Sequence, residues 1–330
     1  MKKILMLTTG GTIASVPSEE GLRPLGSEEI LAHIGGAYAG CELTAREILT
    51  LDSSNIQPEE WKLIAAEIYA GFDGYDGIVV THGTDTMAYT ASMTSFMLQN
   101  PPVPVVFTGS QLPISHPLTD AVSNLRSAFA MACSGAAGVF IAFDRKIMLG
   151  CRGVKVRTVG FDAFESVNLP PVGVISSRGL ELRHSLIPAP HGSPTLDTDI
   201  DTRVFLLKLT PGTDPEIIDL LIERGYHGIV IEAFGSGGMQ FVRRDFTEKL
   251  GRAADAGVPV VLCSQCLYEA SDPTIYQVGM RALEKGVIQG LDVTSEAAVT
   301  KLMWILARAS DPAEVRRMFT TPIAGEINPQ

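Results

Sequence analysis

The chain has 330 residues, 45% of them hydrophobic and 32 of them glycine, which leaves room for two domains and a sizeable core and excludes a disordered or fibrous protein. Its formal net charge is −11 and no basic cluster exceeds Arg243-Arg244 or Arg316-Arg317, which argues against a nucleic-acid surface. No apolar run reaches the roughly 18 residues of a membrane span, and Met1-Lys2-Lys3 precedes only Ile4 to Leu7, too short for a secretion signal, so a cytoplasmic protein is expected.

Apolar, β-branched runs recur along the chain with helical segments between them. Buried strands are predicted over Ile4–Thr8, Gly77–Thr81, Val103–Thr108 and Gly138–Phe143, then Val204–Leu209, Gly228–Glu232 and Val258–Cys263. One helix begins at Gln57-Pro58, with proline at its start, and carries Trp61, Ile64, Ala65 and Ile68 on one face. Another, near the end, lines up Val299, Leu302, Met303 and Leu306. Such alternation reads as an α/β fold with a mostly parallel sheet covered on both faces. Between Ile187 and Thr202 the composition turns polar and proline-rich, through Pro188, Pro190, Pro194, Asp197, Asp199 and Asp201. A larger N-terminal domain over 1–190, a linker over 191–203 and a smaller C-terminal α/β domain over 204–330 are therefore expected.

Two turns follow predicted strands and carry hydroxyls beside glycine: Thr8-Thr9-Gly10-Gly11-Thr12-Ile13-Ala14 and Thr81-His82-Gly83-Thr84-Asp85-Thr86. In an open α/β sheet, ligands bind beyond the carboxyl ends of the strands, so both turns can face one pocket. A hydroxyl beside backbone N–H donors is minimal equipment for acyl transfer; each turn alone also fits a strand-to-helix loop with threonine as N-cap. Thr12 is the first choice of nucleophile, whereas Thr8 and Thr9, nearer the strand, are expected to pack or bond backbone. His82 is expected to be structural rather than a general base.

Thr84 and Asp85 stand as a second set, with Lys155 as their partner: it lies between Val154 and Val156 and would shed its proton more readily if desolvated. Asp52-Ser53-Ser54-Asn55 reads either as an Asx turn and cap or as a polar claw for the charged groups of an amino acid. Phe234-Gly235-Ser236-Gly237-Gly238 lacks the spacing of a dinucleotide loop, and no phosphate-binding loop is present. The five cysteines fit free thiols, Cys263-Ser264-Gln265-Cys266 is read as structural, and the scattered histidines show no metal-ligand spacing.

TTGGTIAS at 8–15 and THGTDTMAYTAS at 81–92 resemble the two signatures of bacterial-type L-asparaginases. The resemblance continues through LDSSNIQPEEW (51–61), TGSQLP (108–113), GFDAFESVNLPP (160–171) and TSEAAVTKLMWIL (294–306), and looks like the cytoplasmic, type I branch. It implies two α/β domains, dimers or tetramers with sites at subunit interfaces, L-asparagine as substrate, and no metal or organic cofactor. By position it implies Thr12 as nucleophile, with Thr84, Asp85 and Lys155 as a second catalytic group. Gly11, Asp52, Ser53, Ser54, Gly83 and Ser110 would bind substrate, with backbone N–H groups near Gly11 and Gly83-Thr84 as oxyanion donors.

The family commonly places a tyrosine on the mobile loop after the first signature; here the loop reads Gly21-Leu22-Arg23-Pro24, and Leu22 has no hydroxyl. Tyr276 is an alternative source of that hydroxyl from a neighbouring subunit, or else an interface tyrosine. Val154 and Glu232 replace a threonine and an arginine expected at a second, regulatory asparagine site, which speaks against regulation there although Cys266 matches. Two rival readings share the scaffold. One is the ammonia-generating subunit of a tRNA-dependent amidotransferase, disfavoured by the acidic charge and by Met1 nearly abutting the first signature. The other is a non-catalytic amino-acid sensor.

Overall fold

The computed structural model describes residues 1–18, 21–34 and 41–328, with the side chains of 15–18, 21–24 and 34 left aside. Two compact units emerge, Met1–Thr198 and Asp199–Gln330.

The first unit is built on an eight-stranded sheet, in the order Gly179–Leu182, Gly173–Ser176, Lys146–Leu149, Gly138–Phe143, Pro104–Thr108, Gly77–Thr81, Lys2–Gly10 and Cys41–Leu51. The last five run parallel, and the first three extend the sheet with antiparallel pairing. The parallel strands are apolar because helices cover them: Ile4 to Leu7 and Ile78 to Val80 have no exposed surface. The Pro58–Ala70 helix turns Trp61, Ile64, Ala65 and Ile68 inward, and Gln57 with Glu60 closes a capping box at its start. The Met87–Met97 helix is buried on nearly every side, which explains its run of Ala, Ser, Thr and Met with no charge.

From the Lys2–Gly10 strand the chain passes to Cys41–Leu51 on one side, then crosses to Gly77–Thr81 on the other. The crossovers diverge there, so a crevice opens at the carboxyl ends of these three strands. All three end in the turns singled out above.

The Asp199–Gln330 unit has a four-stranded parallel sheet, Val204–Lys208, Gly228–Ala233, Val260–Ser264 and Ile288–Gln289 in that order. Its core gathers Ile229, Ile231, Leu262, Phe246 and Leu250. The Ser295–Leu306 helix is capped by Thr294, whose side chain accepts from Ala297 N–H. Within the stretch expected as a linker, Thr195–Leu196 pairs with Leu98–Gln99, and the N–H of Asp197 donates to the Met97 carbonyl. Backbone pairing attaches this polar segment to the first unit, a contact no side-chain pattern announces. No helix among the described residues is long and apolar enough to cross a membrane.

Candidate active site

The three turns at the crevice touch through glycine. A Cβ on Gly11, which has φ +79°, would fall 2.5 Å from the Cα of Gly83, and one on Gly83 would fall 2.6 Å from the Ser53 hydroxyl oxygen. No side chain other than hydrogen fits at either position, so the Gly11, Gly83 and Ser53 turns are wedged together. Thr12 follows at the start of the short Thr12–Ala14 helix, half-buried beside this contact. The N–H of Gly11 is engaged by the Leu51 carbonyl at 3.0 Å, so an oxyanion donor near Gly11 has to be the N–H of a neighbouring residue. Thr8 and Thr9 are buried, and the Thr9 hydroxyl donates to the Thr81 carbonyl at 2.9 Å.

The second set is joined by direct bonds. Lys155 Nζ donates to Thr84 Oγ1 at 2.7 Å and to Asp85 Oδ1 at 2.6 Å. Lys155 ends the Gly153–Lys155 strand, held by antiparallel pairing with Phe164–Ser166. Its side chain is 17% exposed, that of Asp85 65%, so the ammonium is largely sheltered while the carboxylate opens to solvent.

His82, two residues before Thr84, is completely buried. Nδ1 meets the Gly83 carbonyl at 2.7 Å, and because a carbonyl only accepts, Nδ1 carries the proton. Nε2 then accepts from Thr90 Oγ1 at 3.0 Å, and that oxygen in turn accepts from Trp61 Nε1 at 3.1 Å. Burial pushes the imidazole down to about 4, against a smaller opposing effect of the Gly83 bond, so it stays neutral at physiological pH. His82 therefore orients the Gly83-Thr84 backbone.

Asp52 closes its own turn: Oδ1 accepts from the Ser54 hydroxyl at 2.5 Å and from the Ser54 N–H at 2.8 Å. These bonds, the hydroxyl first, hold the carboxyl below its ordinary value. Asp52 and Ser54 are exposed, while Ser53 is 2% exposed and its carbonyl accepts from the Thr86 hydroxyl at 2.6 Å. The Asx turn is thus formed, and it leaves the Asp52 carboxylate ionised and exposed. The Ser110 hydroxyl, also buried, is turned onto the Leu112 carbonyl at 2.6 Å.

Gln111 is not among the residues the sequence singles out. Its Oε1 accepts from Thr84 Oγ1 at 3.3 Å, while Nε2 donates to the carbonyls of Thr158 and Gly160 at 3.1 and 3.2 Å. Its backbone N–H, with that of Leu112, is anchored by the Asp120 carboxylate. The available signal is positional: Gly109-Ser110-Gln111 follows the buried Pro104–Thr108 strand at the same sheet end as the threonine turns.

The remaining expectations lie elsewhere. The Leu22 side chain is outside the described residues. Tyr276 N-caps the Gln277–Glu284 helix of the second unit and is 59% exposed, with Ile275 59% and Met280 51% exposed beside it. Cys263 is buried and its thiol is pushed up to about 12 by desolvation, while Cys266 is exposed. Val154 is 7% exposed in the first unit, and Glu232 in the second is occupied by Ser295 at 2.5 Å and Lys208 at 3.3 Å. Among the described residues no three His, Cys, Asp or Glu side chains gather as a metal site.

Comparison with known proteins finds relatives in both sequence and fold. The family model "Asparaginase, N-terminal" matches residues 3–188, and "Glutaminase/Asparaginase C-terminal domain" matches residues 203–319. An L-asparaginase of Thermococcus kodakarensis is 44% identical over 327 residues, 98% of this chain and 99% of that one. The solved thermostable L-asparaginase from that organism superposes with TM-score 0.95 over 99% of this chain and 100% of its own. L-asparaginase I from Vibrio cholerae superposes with TM-score 0.88 at 31% identity, covering 99% of each chain. A glutamyl-tRNA(Gln) amidotransferase chain of Metallosphaera sedula is 37% identical over 343 residues, 99% of this chain and 77% of that longer one.

Proposed function

Since this chain belongs to the asparaginase family, matched in both its N-terminal and C-terminal domains, we propose that it hydrolyses L-asparagine to L-aspartate and ammonia. The observation that carries this reading is the Lys155 ammonium bonded at once to Thr84 and Asp85, on the sheet end where the Gly11 and Gly83 turns interlock.

Thr12 attacks the side-chain amide carbon, and its hydroxyl proton passes to the amide nitrogen, which leaves as ammonia. The product is a β-aspartyl ester on Thr12. Water then adds to the ester carbon, gives up its proton to Thr12 Oγ1, and aspartate departs. The Lys155 ammonium protonates Thr84 Oγ1 as the Thr84 hydroxyl hands its own proton to the leaving nitrogen, and the amine so formed takes up the Thr12 proton, with Asp85 fixing its position. The developing oxyanion is assigned to N–H groups of Thr12 and of Gly83-Thr84. The exposed Asp52 carboxylate, kept ionised by Ser54, suits the substrate's ammonium, with Ser53, Ser54 and Ser110 shaping the amino-acid end.

The protein is further read as a cytoplasmic homo-oligomer in which Ile275, Tyr276 and Met280 contribute to the surface between copies, their exposure being the reason.

The test is ammonia release by the purified protein from asparagine and from glutamine, without tRNA. Release from asparagine supports the proposal. No release without tRNA, and release once charged tRNA and a partner subunit are supplied, would replace it with the amidotransferase reading.

A further inference from the structure

Cys41 and Cys133 stand 92 positions apart in sequence, yet their sulfurs lie 2.7 Å from each other, far closer than two unbonded sulfurs ordinarily rest. Both side chains are half-buried, so a small oxidant can reach them. Cys41 opens the Cys41–Leu51 strand and pairs with Lys2; Cys133 caps the carboxyl end of the Ala121–Ala132 helix. Among the described residues the Cys41–Leu51 strand is the edge of the eight-stranded sheet, paired on one side only, and an edge strand is where a sheet opens.

We propose that Cys41 and Cys133 form a reversible disulfide, a modification site that staples the edge strand to the body of the first unit when a low-molecular-weight disulfide such as oxidised glutathione is present. The exchange begins at Cys41, the partner on the edge strand. The Cys41 thiolate displaces one glutathione thiolate and forms a mixed disulfide. Cys133 then attacks the Cys41 sulfur, releases its proton, and displaces the second glutathione. Two protein thiols are oxidised to one disulfide; one glutathione disulfide is reduced to two thiols, which take up the two protons.

The bridge sits at the amino ends of the strands. The Cys41–Leu51 strand runs 11 residues before it reaches the Asp52 turn, roughly 35 Å away at about 3.3 Å per residue. Oxidation therefore acts on stability and leaves the active-site turns in place. A closed loop of this length restricts the unfolded chain, so the oxidised form resists unfolding more than the reduced one.

The experiment uses the full chain carrying Cys266→Ser, which removes the exposed thiol, equilibrated with oxidised glutathione or with dithiothreitol. Intact mass and peptide mapping are expected to show loss of two hydrogens and a linked Cys41–Cys133 peptide. Melting should move up by several degrees on oxidation and return with dithiothreitol, and Cys41→Ser or Cys133→Ser should abolish the shift while ammonia release is unaltered. Four free thiols and no linked peptide after oxidation would overturn the site. A linked peptide with an unchanged melting temperature would overturn the stapling role.

Discussion

Lys155 and Thr84 lie 71 residues apart in sequence, and Lys155 Nζ donates to Thr84 Oγ1 at 2.7 Å. The contact depends on two independent structures: the turn after the Gly77–Thr81 strand, and the small Gly153–Lys155 ladder that carries the lysine under it. The same ammonium also bonds Asp85, so its position is fixed from two sides.

Lys155→Met should lower ammonia release from asparagine by roughly 10²–10⁴-fold, the usual worth of acid–base assistance. Its melting temperature should stay near that of the parent, because the Asp85 carboxylate left behind is 65% exposed and remains hydrated. Steady-state rates and a thermal melt on the same preparation check this; a rate loss matched by partial unfolding would make Lys155 structural.

Gln111 points the Thr84 proton. With Nε2 pinned by two carbonyls, only Oε1 can face Thr84. Gln111→Leu removes an acceptor worth about 1 kcal/mol, so kcat should fall about fivefold with KM for asparagine nearly unchanged. A change confined to KM would place Gln111 in substrate binding instead.

The buried His82 makes stability pH-dependent. The folded imidazole takes up a proton only near 4, the free side chain near 6.5. Between these values the unfolded chain holds more protons, so stability is full above the upper value and falls as pH drops through the window, by up to about 3 kcal/mol. Urea unfolding at pH 7 and pH 4.5 should show a steeper loss for the parent than for His82→Gln. Equal losses would mean that His82 is not desolvated as described.

Much of the fold is legible in the sequence. Gly77–Thr81 and Gly138–Phe143 match their predicted bounds to the residue because strands covered on both faces have no polar positions to blur them. The apolar signal of the edge strand starts only at Ile48; the structure begins it at Cys41, where exposed positions such as Glu42 and Glu47 break the apolar run. The antiparallel extension is hidden because its first hairpin turns at Asp144-Arg145, both at positive φ with no glycine to mark them. There the N–H of Asp144 is held by Asn124 Oδ1 at 3.0 Å, a contact from a distant helix. At the site, hydroxyl and glycine positions are visible in the turns, whereas Gln111 acts through bonds to Thr84, Thr158 and Gly160 that no local pattern encodes.

Lys301 is equally hidden. On a helix whose other faces are apolar, it is fully buried and meets the equally buried Glu326 at 2.5 Å, while Nζ also donates to the carbonyls of Phe319 and Thr321. Lys301→Met should cost about 3–5 kcal/mol by stranding a buried carboxylate. Adding Glu326→Gln should recover part of that loss, since the amide oxygen can still accept from the N–H groups of Ile323 and Ala324. Chemical denaturation of the single and double variants checks the order; a double variant less stable than Lys301→Met would contradict it.

The central claim is that Thr12 is the nucleophile, and the most direct measurement is ammonia release from asparagine by Thr12→Ala, with asparagine binding followed by calorimetry on the same sample. Binding should be retained and turnover should fall on the order of 10⁴-fold or more, as when a covalent nucleophile is removed. Near-normal ammonia release from a folded Thr12→Ala protein would contradict it and pass the role of nucleophile to another residue, Thr84 first.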